Sequence, residues 1–202
     1  MTTTFPYTDE KALVAALKAN EPAAYEQLIE QYADQVYRVA YRLLQNPHDA
    51  EDAMQEAFLA VYLRIHEFQG QAKLSSWLYR VVTNKALDIL RKRQRKTETA
   101  TEALEDLNED AAELLPDPQA VLPEDWLMRQ EINDLIAAGL ATLSPRLRAA
   151  FVLFEMEGLS MEEVAAALNI SPSAAKVRVH RARQALRAYL ATHMPSPNTL
   201  KE

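Results

Sequence analysis

The sequence predicts an all-α fold: two small helical domains joined by a flexible acidic linker. Three observations carry that prediction. Glycine is scarce, with three in 202 residues, while alanine, leucine, glutamate and arginine are abundant, which favours helix. Apolar residues recur at three- and four-residue steps through both halves. The acidity is gathered where that periodicity fails. Residues 1–96 hold 13 basic and 12 acidic side chains, 97–131 one basic and 11 acidic, and 132–202 eight basic and six acidic, against a net charge of −7. The expected divisions are a first domain over 1–96, an acidic linker over 97–123, a second domain over 124–194 and a flexible tail over 195–202.

In the first domain, Asn20 is expected to cap a helix running to about Leu44, with Tyr25, Leu28, Tyr32, Val36, Val39, Ala40 and Leu43 buried. Asn46-Pro47 breaks it. Asp49 is expected to cap the next helix, which runs to about Phe68 with an inner stripe of Ala53, Met54, Ala57, Phe58, Val61 and Ile65. After a loop over 69–73, a third helix starts near Ser75 or Ser76 and runs to about Arg95. Residues 97–123 are acidic, proline-bearing and poor in aromatics, so they cannot pack a core alone, although 103–115 could form a short helix. Periodicity resumes at Trp126, with Leu127, Ile132, Leu135, Ile136 and Leu140. Ser144-Pro145 restarts the chain as a helix that Gly158 ends.

The most informative stretch is SMEEVAAALNISPSAAKVRVHRARQALRAYL, over 160–190. Ser160 and Glu163 have capping-box spacing, and Val164, Ala165 and Leu168 form an apolar stripe. Asn169 can take the left-handed conformation that ends a helix. Ser171-Pro172 opens a second helix whose apolar positions are Ala175, Val179, Ala182 and Leu186. Lys176, Arg178, Arg181, Arg183 and Arg187 stand between them, with no acid from 176 to 187. A short capped helix, a tight turn and a basic second helix are the parts of a helix-turn-helix DNA reader.

Two further surfaces carry chemistry. The third helix joins Trp77 and Tyr79 to Arg80, Asn84 and Lys85 and ends in Arg91, Lys92, Arg93, Arg95 and Lys96. Rings stack on unpaired bases and cations track phosphates, a mixture suited to melted DNA. Core packing and an Asp88–Arg91 intrahelical pair are the plainer reading of the same residues. The second helix opens with Asp49, Glu51, Asp52 and Glu56. These are either complements of the helix dipole or, with Gln55, Leu59 and Leu63, a docking face for a basic partner, and the residues alone leave the two even.

Other classes are disfavoured. The chain has no cysteine, which excludes disulfides and cysteine-ligated zinc and fits a reducing cytoplasm. Its four histidines have no metal-ligand spacing, and there is no glycine-rich phosphate loop or nucleophile elbow. No metal, cofactor, catalytic residue, signal peptide or membrane insertion is expected.

These features together resemble the extracytoplasmic-function (group IV) sigma factors of the sigma-70 family, the promoter-recognition subunits of bacterial RNA polymerase. DAEDAMQEAFLAVY resembles the family's region 2.2, FQGQAKLSSWLYRVVTNKALDILRKRQR its regions 2.3 and 2.4, and LSPRLRAAFVLFEMEGLSMEEVAAALNISPSAAKVRVHRARQAL its region 4. The resemblance implies a non-enzymatic, cytoplasmic initiation factor that binds core polymerase (β′ clamp helices and β flap), promoter DNA and an anti-sigma factor. It places Asp49, Asp52, Gln55, Glu56 and Leu59 at the polymerase. It places Gln69, Gln71, Lys73, Trp77, Arg80, Asn84, Lys85, Arg91, Lys92 and Arg95 at the proximal promoter element, with loop 69–73 capturing a flipped base. It places Ser173, Ala174, Lys176, Val177, Arg178, Arg181 and Arg183 at the distal element. Many relatives carry Gly-Thr-Val where this chain has Ser173-Ala174-Ala175, and the Ala174 side chain cannot donate a hydrogen bond to DNA. Such promoters set their elements about 70 Å apart, two turns at ~34–36 Å. A free coil of about 27 residues spans only ~30 Å, so a partner must hold the tether stretched. The rival reading is a stand-alone helix-turn-helix regulator.

Overall fold

The computed structural model describes the backbone over residues 6–97 and 126–193, with side chains over 6–94 and 134–193. All regular structure among these residues is helical. The acidic linker beyond residue 97, its candidate helix over 103–115 and the tail after 193 lie outside them.

Helix α1 (Glu10–Lys18) is capped by Asp9, whose side chain accepts the Ala12 N–H at 2.7 Å, and it buries Leu13, Ala16 and Leu17. It had no place among the sequence expectations. Asn20 has φ +58° and lies just past α1, so it closes that turn and does not cap the next helix. The N-cap of α2 (Pro22–Leu44) is Glu21, without a side-chain capping bond, ahead of a proline at the first helical position. Asparagine is favoured both at N-caps and in the left-handed region, so its presence did not fix which end it serves.

Helix α3 (Pro47–Arg64) is capped by Asn46, which accepts the Asp49 N–H at 3.0 Å. Asp49 therefore sits one turn inside, and the capping role belongs three residues earlier. A 3₁₀ turn over Ile65–Glu67 ends this helix, and α4 spans Leu74–Thr97. Helices α2, α3 and α4 pack on one another and bury Leu28, Val36, Val39, Leu43, Ala53, Ala57, Val61, Leu78 and Val82.

The second group begins with α5 (Trp126–Thr142) and α6 (Pro145–Phe151), which continues into a π-turn over Val152–Met156. Gly158, at φ +68°, then turns the chain. Helix α7 (Met161–Leu168) and helix α8 (Pro172–His193) form the helix-turn-helix. The predicted apolar positions Ala175, Val179, Ala182 and Leu186 are all buried. Gly139 of α5 lets α8 approach closely: a Cβ there would lie 2.5 Å from Leu186 Cδ1.

The two groups also pack on each other and share one core, with α4 against α7 and both α2 and α4 against α6. Polar bridges among the described residues also cross the seam. The Arg148 guanidinium donates to Leu43 O at 2.7 Å, and within its own half to Ala141 O at 3.0 Å and Leu143 O at 3.1 Å. Arg42 pairs with Glu157 at 2.6 Å. Ser76 Oγ donates to Glu163 at 2.7 Å. Hydrophobic periodicity marks which face of a helix is buried but not which helix covers it, so this seam was not foreseeable from the pattern.

Candidate nucleic-acid interface

The helix-turn-helix is built locally as its residues dictate. Ser160 Oγ accepts the Glu163 N–H at 3.2 Å, and the Glu163 carboxylate accepts the Ser160 N–H at 2.9 Å, completing the capping box. Asn169, at φ +54°, ends α7. Ser171 Oγ accepts the Ala174 N–H at 3.1 Å and caps α8. The residues expected at the distal element then divide by environment. Ser173 and Lys176 are exposed, while Ala174, Val177 and Arg181 are half-buried. Arg178 is buried. Arg183 bonds Glu155 at 2.5 Å and lies over the Phe154 ring, 5.6 Å from its centroid, so its charge is tied to the protein's own π-turn.

Glu163 serves both its own cap and Ser76 across the seam. Those hydrogen bonds, the one from Ser76 first, hold its carboxyl below the usual carboxylate value. A group so depressed contributes stability above the ordinary value and loses it as pH falls. Glu163→Ala is therefore expected to cost about 1–2 kcal/mol at neutral pH, as for a lost cap. Thermal melts should show a drop of about 2–8 °C. The gap between the two proteins should close as pH falls below 4.5, the ordinary value for this carboxyl. An unchanged gap in acid would refute the assignment.

The second surface is α4 with the loop before it. All five loop residues, 69–73, are exposed, and Gly70 takes φ +71°. Asn84 is exposed, and Arg80 and Lys85 are half-buried. Trp77 is different: it is buried, with its ring 5.7 Å from that of Phe68 and tilted 56°. Tyr79 is buried as well, and its hydroxyl donates to Gln35 at 2.9 Å. Burial, reinforced by nearby Glu157, pushes its pKa up to about 12. In this arrangement both rings pack in the core and leave no open stacking platform. At the far end Arg91, Lys92 and Arg93 are exposed, with Arg91 2.6 Å from Asp88 one turn back. The Arg95 side chain lies outside the described residues.

The third surface is the acidic side of α3. Asp52, Gln55, Glu56 and Leu59 are exposed, Leu59 by 58%, and Asp49 is half-buried. Their spacing sets them on one stripe. That stripe borders α4: Glu56 pairs with Lys85 at 3.1 Å, and Asp49 pairs with Arg93. Among the described residues no cluster of histidines and carboxylates could hold a metal ion, and no helix is long and apolar enough to cross a membrane. Sequence reasoning missed Arg42, Arg148 and Glu157 at the seam, for which no local signal exists. It also missed α1, although Asp9 ahead of Leu13, Ala16 and Leu17 has the form of a capped amphipathic turn.

The family models for Sigma-70 region 2 and Sigma-70, region 4 match residues 28–96 and 133–186. The chain is 42% identical over 171 residues to the "ECF RNA polymerase sigma factor SigE" of Mycolicibacterium smegmatis, covering 84% of this chain and spanning 63% of that relative's length. It is 35% identical over 185 residues to the "ECF RNA polymerase sigma factor SigW" of Bacillus subtilis, covering 89% of this chain and 96% of that one. Among solved structures, CnrH in complex with the cytosolic domain of CnrY has a similar fold, with a TM-score of 0.64 at 23% identity, covering 91% of this chain and 98% of the other. So does RpoE in complex with the anti-sigma factor NepR from Bartonella quintana, with a TM-score of 0.61 at 23% identity, covering 84% and 98%. With both regions present in order, and with the SigW relative matched over nearly its whole length, the chain belongs to the extracytoplasmic-function sigma factors of the sigma-70 family.

Proposed function

We propose that this protein directs bacterial core RNA polymerase to specific promoters and starts transcription there, without being an enzyme itself. The observation that carries the reading is the presence, in one chain, of two cation-bearing helices, α4 and α8, beside an acidic, leucine-bearing face on α3. The α3 stripe at Asp49, Asp52, Gln55, Glu56 and Leu59 docks on polymerase. Loop 69–73 and α4, through Arg80, Asn84, Lys85 and the basic end at Arg91 and Lys92, hold the opened strand of the proximal element. The start of α8 enters the major groove of the distal element, where Ser173, Ala174 and Lys176 meet base edges and Arg181 meets phosphate. Strand opening is driven by binding energy, since captured bases stabilise the open state.

The packed arrangement of the halves adds a step. Elements about 70 Å apart cannot be read by two domains in direct contact. The seam at Arg148, Glu157 and Glu163 must therefore open before both are engaged. A closed form of this kind is a natural target for an anti-sigma partner, and two proteins of similar fold are complexed with CnrY and with NepR. The reading places the protein in the cytoplasm, where polymerase is.

The test is transcription in vitro from a genomic promoter library by core polymerase with and without the protein. Sequence-selective initiation that depends on it is the expected result. Failure to associate with core polymerase at low salt overturns the reading. Binding of duplex operator without polymerase would favour the stand-alone regulator instead.

A further inference from the structure

We propose that α1 is a positioning device for the loop that reads the proximal element, and that Glu10 and Lys18 are its two contact points. The inference rests on the reading that loop 69–73 contacts the opened strand. The loop itself has little to hold it: its residues are exposed, and a Cβ on Gly70 would meet nothing within 4 Å. Both of its ends, by contrast, are buried and bonded. The Lys18 ammonium donates to the carbonyl of Phe68, the residue before the loop, at 2.7 Å. The Glu10 carboxylate accepts the N–H of Leu74, the residue after it, at 3.1 Å.

Leu74 is the first residue of α4, where backbone N–H groups lack intrahelical partners. A side chain 64 residues away in sequence thus acts as a cap on the DNA-facing helix. Glu10 and Lys18 stand at opposite ends of α1, a little over two turns apart. One helix therefore sets both ends of an exposed loop. The Phe68–Trp77 ring contact ties the first anchor to α4 from the other side, so Trp77 serves the loop by packing. Glu10 and Lys18 both precede residue 28, where the Sigma-70 region 2 match begins.

An exposed loop held at both ends presents its side chains and backbone in one geometry, and a displacement near an ångström is enough to lose most of a contact's selectivity. The test uses holoenzyme formed from the full chain and core polymerase, with a promoter library randomised over both elements and the transcripts sequenced. Glu10→Ala and Lys18→Met are each expected to lower the base preference at the loop-read position about tenfold. Preference at the distal element and affinity for core polymerase should be unchanged. Lys18→Arg, which keeps a charged donor, should restore the preference. Thermal melts of each variant run alongside. Wild-type preference in both α1 variants overturns the proposal, including when their melting temperatures fall, because that outcome assigns α1 to stability alone. The combined loop variant Gln69→Ala, Gln71→Ala, Lys73→Ala is the control. If it flattens the proximal preference while the α1 variants do not, the positioning role fails and the loop reading stands. If it leaves the preference intact, the loop reading fails and this inference falls with it.

Discussion

Replacing Arg148 with alanine is expected to destabilise the protein by about 3 kcal/mol and lower its melting temperature by about 6–12 °C. Arg148 is 8% exposed, and burial pushes its pKa down. It is held in place by three backbone carbonyls: Leu43 O at the end of α2, and Ala141 O and Leu143 O at the end of α5. Helix C-termini leave carbonyls without intrahelical partners and carry partial negative charge, so one planar cation satisfies acceptors from both halves. Alanine would leave these acceptors unpaired and open a void in the seam, and each orphaned buried group costs about 1–3 kcal/mol. The effects are not additive, since water can enter the void. Arg148→Lys should recover part of the loss, because a single ammonium cannot reproduce the guanidinium fork. Thermal denaturation of the three proteins decides the matter, and an alanine variant that melts within about 2 °C of wild type would show that the seam does not depend on this residue. Solution scattering should show the variant extended, as the halves separate.

The second large effect is expected at α8. Lys176→Ala combined with Arg181→Ala should weaken the holoenzyme–promoter complex by about 30-fold or more, since two contacts to DNA of at least about 1 kcal/mol each are lost. The salt dependence of binding should fall by about 0.9 units of log K against log salt, the value for one phosphate neutraliser removed, Arg181. Arg183→Ala should do far less, because its charge is already engaged by Glu155 at 2.5 Å and rests over Phe154. Arg178→Ala should appear chiefly as lost stability, since that side chain is buried. Equal losses for Lys176 and Arg183 in a salt-titrated promoter-binding assay would refute the division that the structure draws among these cations.

That division marks where sequence reading stopped being sufficient. In the row from Lys176 to Arg187 the cations look equivalent, because local sequence reports charge and periodicity but not what stands opposite. The turn chemistry of the helix-turn-helix was legible residue by residue: the Ser160–Glu163 box, the left-handed Asn169 and the Ser171 cap each depend on contacts within four residues. The assignments at Asn20 and Asp49 failed for the same local reason. Each is a residue type that suits several positions around a helix end, and the neighbouring turn decided between them. Trp77 shows the opposite limit. An aromatic residue in a basic helix suits either a base stack or a core, and only the structure shows that this ring packs on Phe68 from outside the helix.

Composition, charge distribution and apolar spacing by themselves determined that this chain is helical, that its acidity is concentrated between two mildly basic halves, and that α7 and α8 form a capped helix-turn-helix. These follow from interactions that span one or two turns, which a linear pattern records. Tertiary structure alone decided that the halves share a core closed by Arg148, Arg42–Glu157 and Ser76–Glu163, and that α1 grips both ends of loop 69–73. Those contacts join residues from about 50 to 115 positions apart. Their energies come from desolvated hydrogen bonds, whose partners exist only once the helices have packed.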